Sequence, residues 1–216
     1  AVLFRGMTLE DGAKARAPRR RKFNLLIFGD SITEGVRTLG WEGVQNDTDR
    51  NDAVRDYSFQ VGSMLAAEFG VVAFGASGLT HAGSGGVPPL GESWNQLWAD
   101  AARDFATHPP DLVLYNEGTN DGSSNITDLM LDVVRKVHEA APRTRQLLLG
   151  PFDGQQADNL RAVVAAMPVG TATFGDTKGF YSGDDGLHPF GYSHVADITP
   201  SVVELCLPLL AASARW

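Results

Sequence analysis

Five short apolar runs alternate with helix-like segments along most of this 216-residue chain, and the alternation limits the folds open to it. The runs have the length and composition of strands, and they are residues 23–28, 71–74, 112–115, 146–149 and 171–174. Strands that alternate with helices join as βαβ units, which build a parallel sheet covered by helices on both faces. We therefore predict an α/β fold, a three-layer α/β/α sandwich around a central parallel sheet.

The segment 125–140 has the clearest helical pattern. Its apolar residues recur every three or four positions along one face, from Ile126 to Val137. Asn125 is suited to cap the first turn, and Pro142 stops the helix. Further helices are predicted over residues 57–69, over residues 94–106 and after residue 191.

The first 22 residues lack sustained apolar periodicity and end in a basic run at 19–22. We predict an N-terminal arm or linker over residues 1–22 and one catalytic domain over residues 23–216. The basic run could bind an acidic partner, but we favour a solvated flank of the first strand.

The formal net charge of −8 disfavours nucleic acid and anionic membrane surfaces as partners, because like charges repel. Neutral substrates are favoured instead. No apolar run approaches the roughly 18 to 20 residues that span a bilayer, so we expect no membrane span. Ala1 opens no recognisable signal peptide, although the chain could be a processed form.

The cysteine and asparagine residues give information on the cellular location of the protein. Cys206 is the only cysteine, which excludes an intrachain disulfide, and its apolar surroundings predict a buried core residue. Two Asn-x-Thr triplets, at Asn46 and Asn125, would accept glycans in a eukaryotic secretory pathway. We expect a secreted or extracellular protein, with the cytoplasm as the alternative.

Four polar segments follow predicted strands or precede the last helix, which places them where reactive groups gather in parallel sheets. They are Gly29-Asp30-Ser31, Ala76-Ser77-Gly78, Gly118-Thr119-Asn120-Asp121 and Asp185-Gly186-Leu187-His188-Pro189. A serine at the start of a helix can be a helix cap or a nucleophile. Glycine N–H groups that no side chain obstructs, together with an amide, suit an oxyanion site.

The last segment places a carboxylate three residues before an imidazole. This spacing lets Asp185 reach Nδ1 of His188 within one turn, which fixes the tautomer so that Nε2 can take a serine proton. Asp184 is a second candidate for the same role.

In order, the four segments resemble the conserved blocks of the SGNH (GDSL-type) hydrolases, which centre on Ser, Gly, Asn and His. The resemblance covers about residues 24–200 and implies a flavodoxin-like fold and ester hydrolysis. It implies Ser31 as nucleophile, His188 as general base and acid, and Asp185 as the residue that orients His188. It also implies an oxyanion hole formed by the N–H groups of Ser31 and Gly78 and the side chain of Asn120.

A narrower resemblance is to carbohydrate esterases that remove acetyl groups from hemicellulose, in the type whose SGNH domain follows a small β-sandwich. The segments that carry it are residues 9–13, 29–35 and 116–121. This sequence contains no residues for the β-sandwich. Either that domain is missing here or the protein works without it.

Aromatic residues favour a sugar substrate, because indole rings stack on the apolar faces of sugars. Trp41 follows the nucleophile in a polar stretch, and Trp94 adjoins the glycine-rich loop at 75–93, so both are candidate substrate contacts. We predict that Trp98 is a core residue. The sequence implies no metal and no other cofactor.

The sequence is compatible with three functions. The leading one is a serine esterase that removes O-acetyl groups from a polysaccharide or smaller carbohydrate. A lipolytic esterase or thioesterase would use the same residues on other substrates. A catalytically silent carbohydrate-binding protein is the third possibility, but binding alone does not need a nucleophile, a base and an oxyanion site together.

Overall fold

The computed structural model describes residues 6–17, 19–42, 46–180 and 185–213. The strands are β1 Asn24–Gly29, β2 Glu68–Ala73, β3 Gln96–Trp98, β4 Ala101–Ala102, β5 Leu112–Asn116, β6 Arg145–Leu149 and β7 Ala172–Gly175. Five of them form one parallel sheet in the order β2-β1-β5-β6-β7, and β3 and β4 form a separate antiparallel pair. This is the strand order of flavodoxin-like folds. The predicted fold class and all five predicted strands are confirmed.

Helices cover both faces of the sheet. They are α1 Ser31–Glu34, α2 Tyr57–Met64, α3 Leu90–Ser93, α4 Thr127–Ala140, α5 Ala157–Ala165, α6 Gly191–Ser193 and α7 Thr199–Ser213. Short 3-10 turns lie at Asp47–Arg50, Ser84–Gly86 and Thr119–Asp121, and a π-helical turn, His194–Ile198, joins α6 to α7. The side chain of Asn125 accepts the N–H of Thr127 at 3.0 Å and so satisfies a donor in the first turn of α4.

Successive residues of the central strands point to opposite faces, as the pleat of a sheet requires. Leu26 and Phe28 of β1 pack with α4 and α5, whereas Leu25 and Ile27 pack with α2 and α7. Cys206 of α7 lies in this second layer and is fully buried, which confirms its predicted place in the core. Burial raises the pKa of its thiol to about 12.

The predicted helix over 57–69 is too long, because the chain turns into strand β2 within that segment. Helix α2 ends at Met64, and Ala66 adopts a left-handed conformation with φ of 49°. Glu68 then pairs with Asn24 of β1. Pairing with the sheet therefore overrides a local preference for helix.

The predicted helix over 94–106 is wrong. Strands β3 and β4 occupy this segment, and Asp100 has a φ of 64° in the turn between them. Trp98 was predicted to be core, but it is 60% exposed. The apolar residues of segment 94–106 therefore belong to a surface hairpin and a groove beside β2, not to the buried face of a helix.

The helical stretch Gly191–Ser213 is 23 residues long and apolar enough to cross a membrane by length and composition alone. This corrects the expectation that no segment approaches that length. Its residues Val202, Cys206 and Leu210 pack into the core against the sheet. A helix of a protein core can have the same composition, so length and composition do not assign this stretch to a membrane.

Candidate active site

Strand β1 delivers Ser31 to the carboxyl edge of the sheet. Asp30 is the N-cap of helix α1, and its Oδ1 accepts the N–H of Ile32 at 2.9 Å. The capping role therefore belongs to Asp30, which leaves the Ser31 hydroxyl available for another partner. Gly29 is required because a Cβ at this position would overlap the side chain of Thr33.

Ser31, His188 and Asp185 form a continuous line of hydrogen bonds. The Oγ of Ser31 lies 3.1 Å from Nε2 of His188, and Nδ1 of His188 lies 3.2 Å from Oδ2 of Asp185. The backbone N–H groups of Leu187 and His188 donate to the other carboxylate oxygen at 2.9 and 2.5 Å. A carboxylate beside Nδ1 keeps the proton there, so Nε2 can accept the serine proton.

A fourth residue, Arg37, joins this line from the loop after α1. Its Nη1 lies 2.9 Å from Oδ2 of Asp185, whose side chain is only 1% exposed. Burial acts to raise the pKa of Asp185, but the hydrogen bonds from Arg37 and from the His188 and Leu187 N–H groups outweigh it and lower that pKa to about 2. No sequence motif marks Arg37, so its contact with Asp185 could not be predicted.

Asn120 also reaches the nucleophile turn. Its Nδ2 donates to the Ser77 carbonyl at 2.8 Å and lies 3.5 Å from Oδ2 of Asp30. The longer distance is at the outer limit for a hydrogen bond, so the second amide hydrogen is weakly held.

Gly78 differs from the expectation for an oxyanion donor. Its N–H donates to the His81 carbonyl at 3.2 Å, and this bond would have to open before the N–H could reach a substrate. A Cβ at Gly78 would lie 2.7 Å from Oδ2 of Asp121, so this residue must be glycine for Asp121 to approach.

Asp121 anchors the long loop after β2. Its two carboxylate oxygens accept the backbone N–H groups of Leu79 and Thr80 at 3.0 and 2.8 Å, and the Thr80 hydroxyl also donates to it. Asp121 is buried. The glycine-rich loop at 75–93 is therefore held against the turn that carries Asn120.

The two candidate tryptophans have different environments. Trp41 is 46% exposed, and its ring lies 5.4 Å from the guanidinium of Arg37, next to Asp185. Trp94 instead stacks on Phe105 at 5.5 Å and packs against the core. Trp94 thus has a structural role that needs no ligand. Of the two tryptophans, only Trp41 contacts, through Arg37, the line of hydrogen bonds from Ser31 through His188 to Asp185, called here the Ser31 line.

Asp30 of the nucleophile turn and two carboxyl groups near it, Asp56 and Glu117, are buried, and no sequence motif marks the three as a group. Burial raises the pKa of Asp30 to about 6 and raises the pKa values of Asp56 and Glu117 well above their ordinary range. Asp56 also contacts the buried His194, with 3.4 Å between Oδ2 and Nδ1, which gives His194 a structural role.

We expect Asp30→Asn to change how the free energy of unfolding depends on pH. The folded-state pKa of about 6 exceeds the ordinary 3.8, so the folded state holds a proton that the unfolded chain loses between these values. The stability of the parent therefore falls as pH rises from about 4 to 7, by up to roughly 3 kcal/mol from this group.

The asparagine variant does not titrate, so it should gain that amount relative to the parent across the same range. Urea unfolding of both proteins at pH 4 and pH 7 measures the difference, and any pH-independent cost of the substitution cancels. Parallel pH curves would show that Asp30 does not hold a proton in the folded protein.

Within the described residues, no group of three or more His, Cys, Asp or Glu side chains could hold a metal ion. Asp184, the second candidate for the residue that orients His188, lies outside the described residues.

Solved structures of carbohydrate esterases share this architecture. The carbohydrate esterase family 2 enzyme with a carbohydrate-binding domain from Corynascus thermopiles (Myceliophthora fergusii) superposes with a TM-score of 0.75 at 24% identity, over 95% of this chain and 70% of that one. An acetyl xylan esterase from the rumen bacterium Butyrivibrio proteoclasticus gives 0.73 at 18% identity, over 93% and 68% of the two chains. At these identities the likeness shows the fold alone.

Sequence comparison identifies the family. The Cellulase/esterase CelE of Acetivibrio thermocellus is 28% identical over 131 residues, which are 59% of this chain but only 16% of that protein. The model of the GDSL-like lipase/acylhydrolase family matches residues 27–183, which are most of the chain and include Ser31, Gly78 and Asn120. The chain therefore belongs to the GDSL-like lipase/acylhydrolase family.

Proposed function

We propose that this protein is a serine esterase whose nucleophile is Ser31. The observation that carries the proposal is the hydrogen-bonded line from Ser31 through His188 to Asp185, with distances of 3.1 and 3.2 Å. A hydroxyl, a base and a carboxylate in this order are the parts needed for acyl transfer through a covalent intermediate. Membership of the GDSL-like family supports the same chemistry.

In the proposed reaction, the Ser31 oxygen bonds to the ester carbonyl carbon while its proton passes to Nε2 of His188. The tetrahedral intermediate collapses as the bond to the alcohol oxygen breaks, and His188 gives the proton to that oxygen. Water then attacks the acyl-enzyme with His188 again as base, and the acid leaves as Ser31 recovers its proton.

We assign the oxyanion hole to the N–H of Ser31 and the amide of Asn120, with the N–H of Gly78 as a third donor once its bond to His81 opens. Donors that face the developing charge stabilise the transition state more than the ground state. The weakly held second hydrogen of Asn120 supports this assignment.

Asn120→Ala should lower kcat by about 100- to 1000-fold and change KM little, because an oxyanion donor acts mainly on the transition state. Steady-state kinetics with p-nitrophenyl acetate measure the loss. Thermal unfolding must accompany them, because Asn120 also holds the Ser77 carbonyl. A folded variant with unchanged kcat would remove Asn120 from the oxyanion hole.

For the substrate, we propose O-acetylated carbohydrate. The exposed ring of Trp41 beside the Ser31 line offers a stacking surface for a sugar. The solved structures with this fold include a protein described as an acetyl xylan esterase.

We also propose that residues 23–216 form the catalytic domain and that the protein acts outside the cell.

Acetate release from acetylated xylan, compared with hydrolysis of p-nitrophenyl acetate and p-nitrophenyl octanoate, tests the substrate. Release from xylan by the parent, and not by Ser31→Ala, is the expected result. A preference for octanoate would favour a lipolytic esterase. No turnover of any ester would favour a silent carbohydrate-binding protein.

A further inference from the structure

The salt bridge between Arg37 and Asp185 uses the same carboxylate oxygen as the imidazole. Arg37 Nη1 lies 2.9 Å from Oδ2 of Asp185, and Nδ1 of His188 lies 3.2 Å from that oxygen. Oδ1 is taken up by the backbone N–H groups of Leu187 and His188. The guanidinium therefore restrains the carboxylate and also offsets part of the negative charge that the imidazole faces.

We propose that Arg37 is a positioning residue of the esterase site, which holds the Asp185 carboxylate against His188 and offsets part of the negative charge on the Oδ2 atom that the imidazole faces. The inference rests on the proposed roles of Ser31, Asp185 and His188. Arg37 acts through Asp185 and need not contact the reacting atoms.

The fold fixes the backbone conformation at Arg37. Its φ is 58°, a left-handed conformation that residues other than glycine seldom adopt. The Oδ1 of Asn51 accepts the N–H of Arg37 at 3.0 Å and holds this conformation. This conformation persists because the surrounding structure fixes it, so the fold sets the direction in which the Arg37 side chain leaves the loop.

The surroundings of the guanidinium also favour a strong interaction with Asp185. The Arg37 side chain is 28% exposed, and the Trp41 ring lies 5.4 Å from its guanidinium carbon. An aromatic ring over a cation shields it from water and adds a cation–π attraction. Within the described part of the chain, Arg37 and His188 are the charged or titratable side chains in ion-pair range of Asp185.

Arg37→Met tests the proposal, because methionine keeps an extended side chain at this φ but removes the charge. We expect kcat on p-nitrophenyl acetate to fall on the order of 10-fold with little change in KM. We also expect the acid limb of the kcat/KM profile to move to higher pH, because a carboxylate without its second cation stabilises the imidazolium more. Arg37→Lys should recover part of kcat and most of the pH shift.

Arg161→Met is a matched control, because it removes another arginine that pairs with aspartate and lies over an aromatic ring. Arg161 bonds Asp158 and Asp176 at 3.1 and 2.9 Å, and its guanidinium lies 4.5 Å from the Phe174 ring. This variant should keep the parent kcat and pH profile.

Two results would overturn the inference while Ser31→Ala remains inactive. One is an Arg37→Met variant with the parent kcat and pH profile. The other is an Arg37→Met variant whose activity falls only in proportion to the fraction of folded protein and whose pH profile matches that of the parent. Full activity in Ser31→Ala would instead overturn the proposed function, and the role of Arg37 with it.

Discussion

Ser31→Ala should lower kcat for ester hydrolysis by about six orders of magnitude, to the level left by binding and the oxyanion donors. The reason is that the Oγ atom that faces Nε2 of His188 is lost, so no acyl-enzyme can form. The helix cap beside it belongs to Asp30, so the fold should survive. Hydrolysis of p-nitrophenyl acetate together with circular dichroism measures both properties.

Ser63→Ala is the control for this experiment. Ser63 is an exposed serine on helix α2, and its substitution should leave kcat at the parent value. A folded Ser31→Ala protein that hydrolysed esters at the parent rate would mean that another residue is the nucleophile.

Asp185→Asn should lower kcat by about 10,000-fold, because an amide in place of the carboxylate favours the wrong tautomer of His188. The substitution also replaces the charged acceptor that lies 2.9 Å from the Arg37 guanidinium with a neutral amide. In the parent, a pKa of about 2 keeps Asp185 ionised from mildly acidic pH upward, so its protonation should not limit activity there.

Asp176→Asn provides the matched control for Asp185→Asn. The Asp176 side chain is 59% exposed and pairs with Arg161 at 2.9 Å. Because exposed ion pairs contribute little, loss of this pair should leave kcat unchanged. Kinetics and thermal unfolding of both variants check the prediction. A folded Asp185→Asn protein with near-parent kcat would show that His188 is oriented by some other group.

The sheet could be predicted because each strand carries its own signal. Buried parallel strands are continuous apolar runs, and the polar residues at their carboxyl ends must meet at one edge. The sequence therefore predicts Ser31 and Asn120 in neighbouring turns. The spacing from Asp185 to His188 likewise predicted a contact within a single turn.

Features that depend on long-range packing could not be predicted in this way. The hairpin of β3 and β4 occupies a segment whose spacing of apolar residues resembles a helix. The contact of Arg37 with Asp185 joins residues 148 positions apart, and the buried carboxyl groups gather from separate turns. The N–H of Gly78 is held by the fold of its own loop, which the presence of a glycine does not reveal.

The most direct test of the central claim is the site of reaction with diethyl p-nitrophenyl phosphate, which phosphorylates activated serine nucleophiles. We expect loss of activity with one adduct per chain, mapped by peptide mass spectrometry to Ser31, and no adduct in Ser31→Ala. An inactivating adduct on a different residue, or one that persists in Ser31→Ala, would contradict the assignment of Ser31 as the nucleophile.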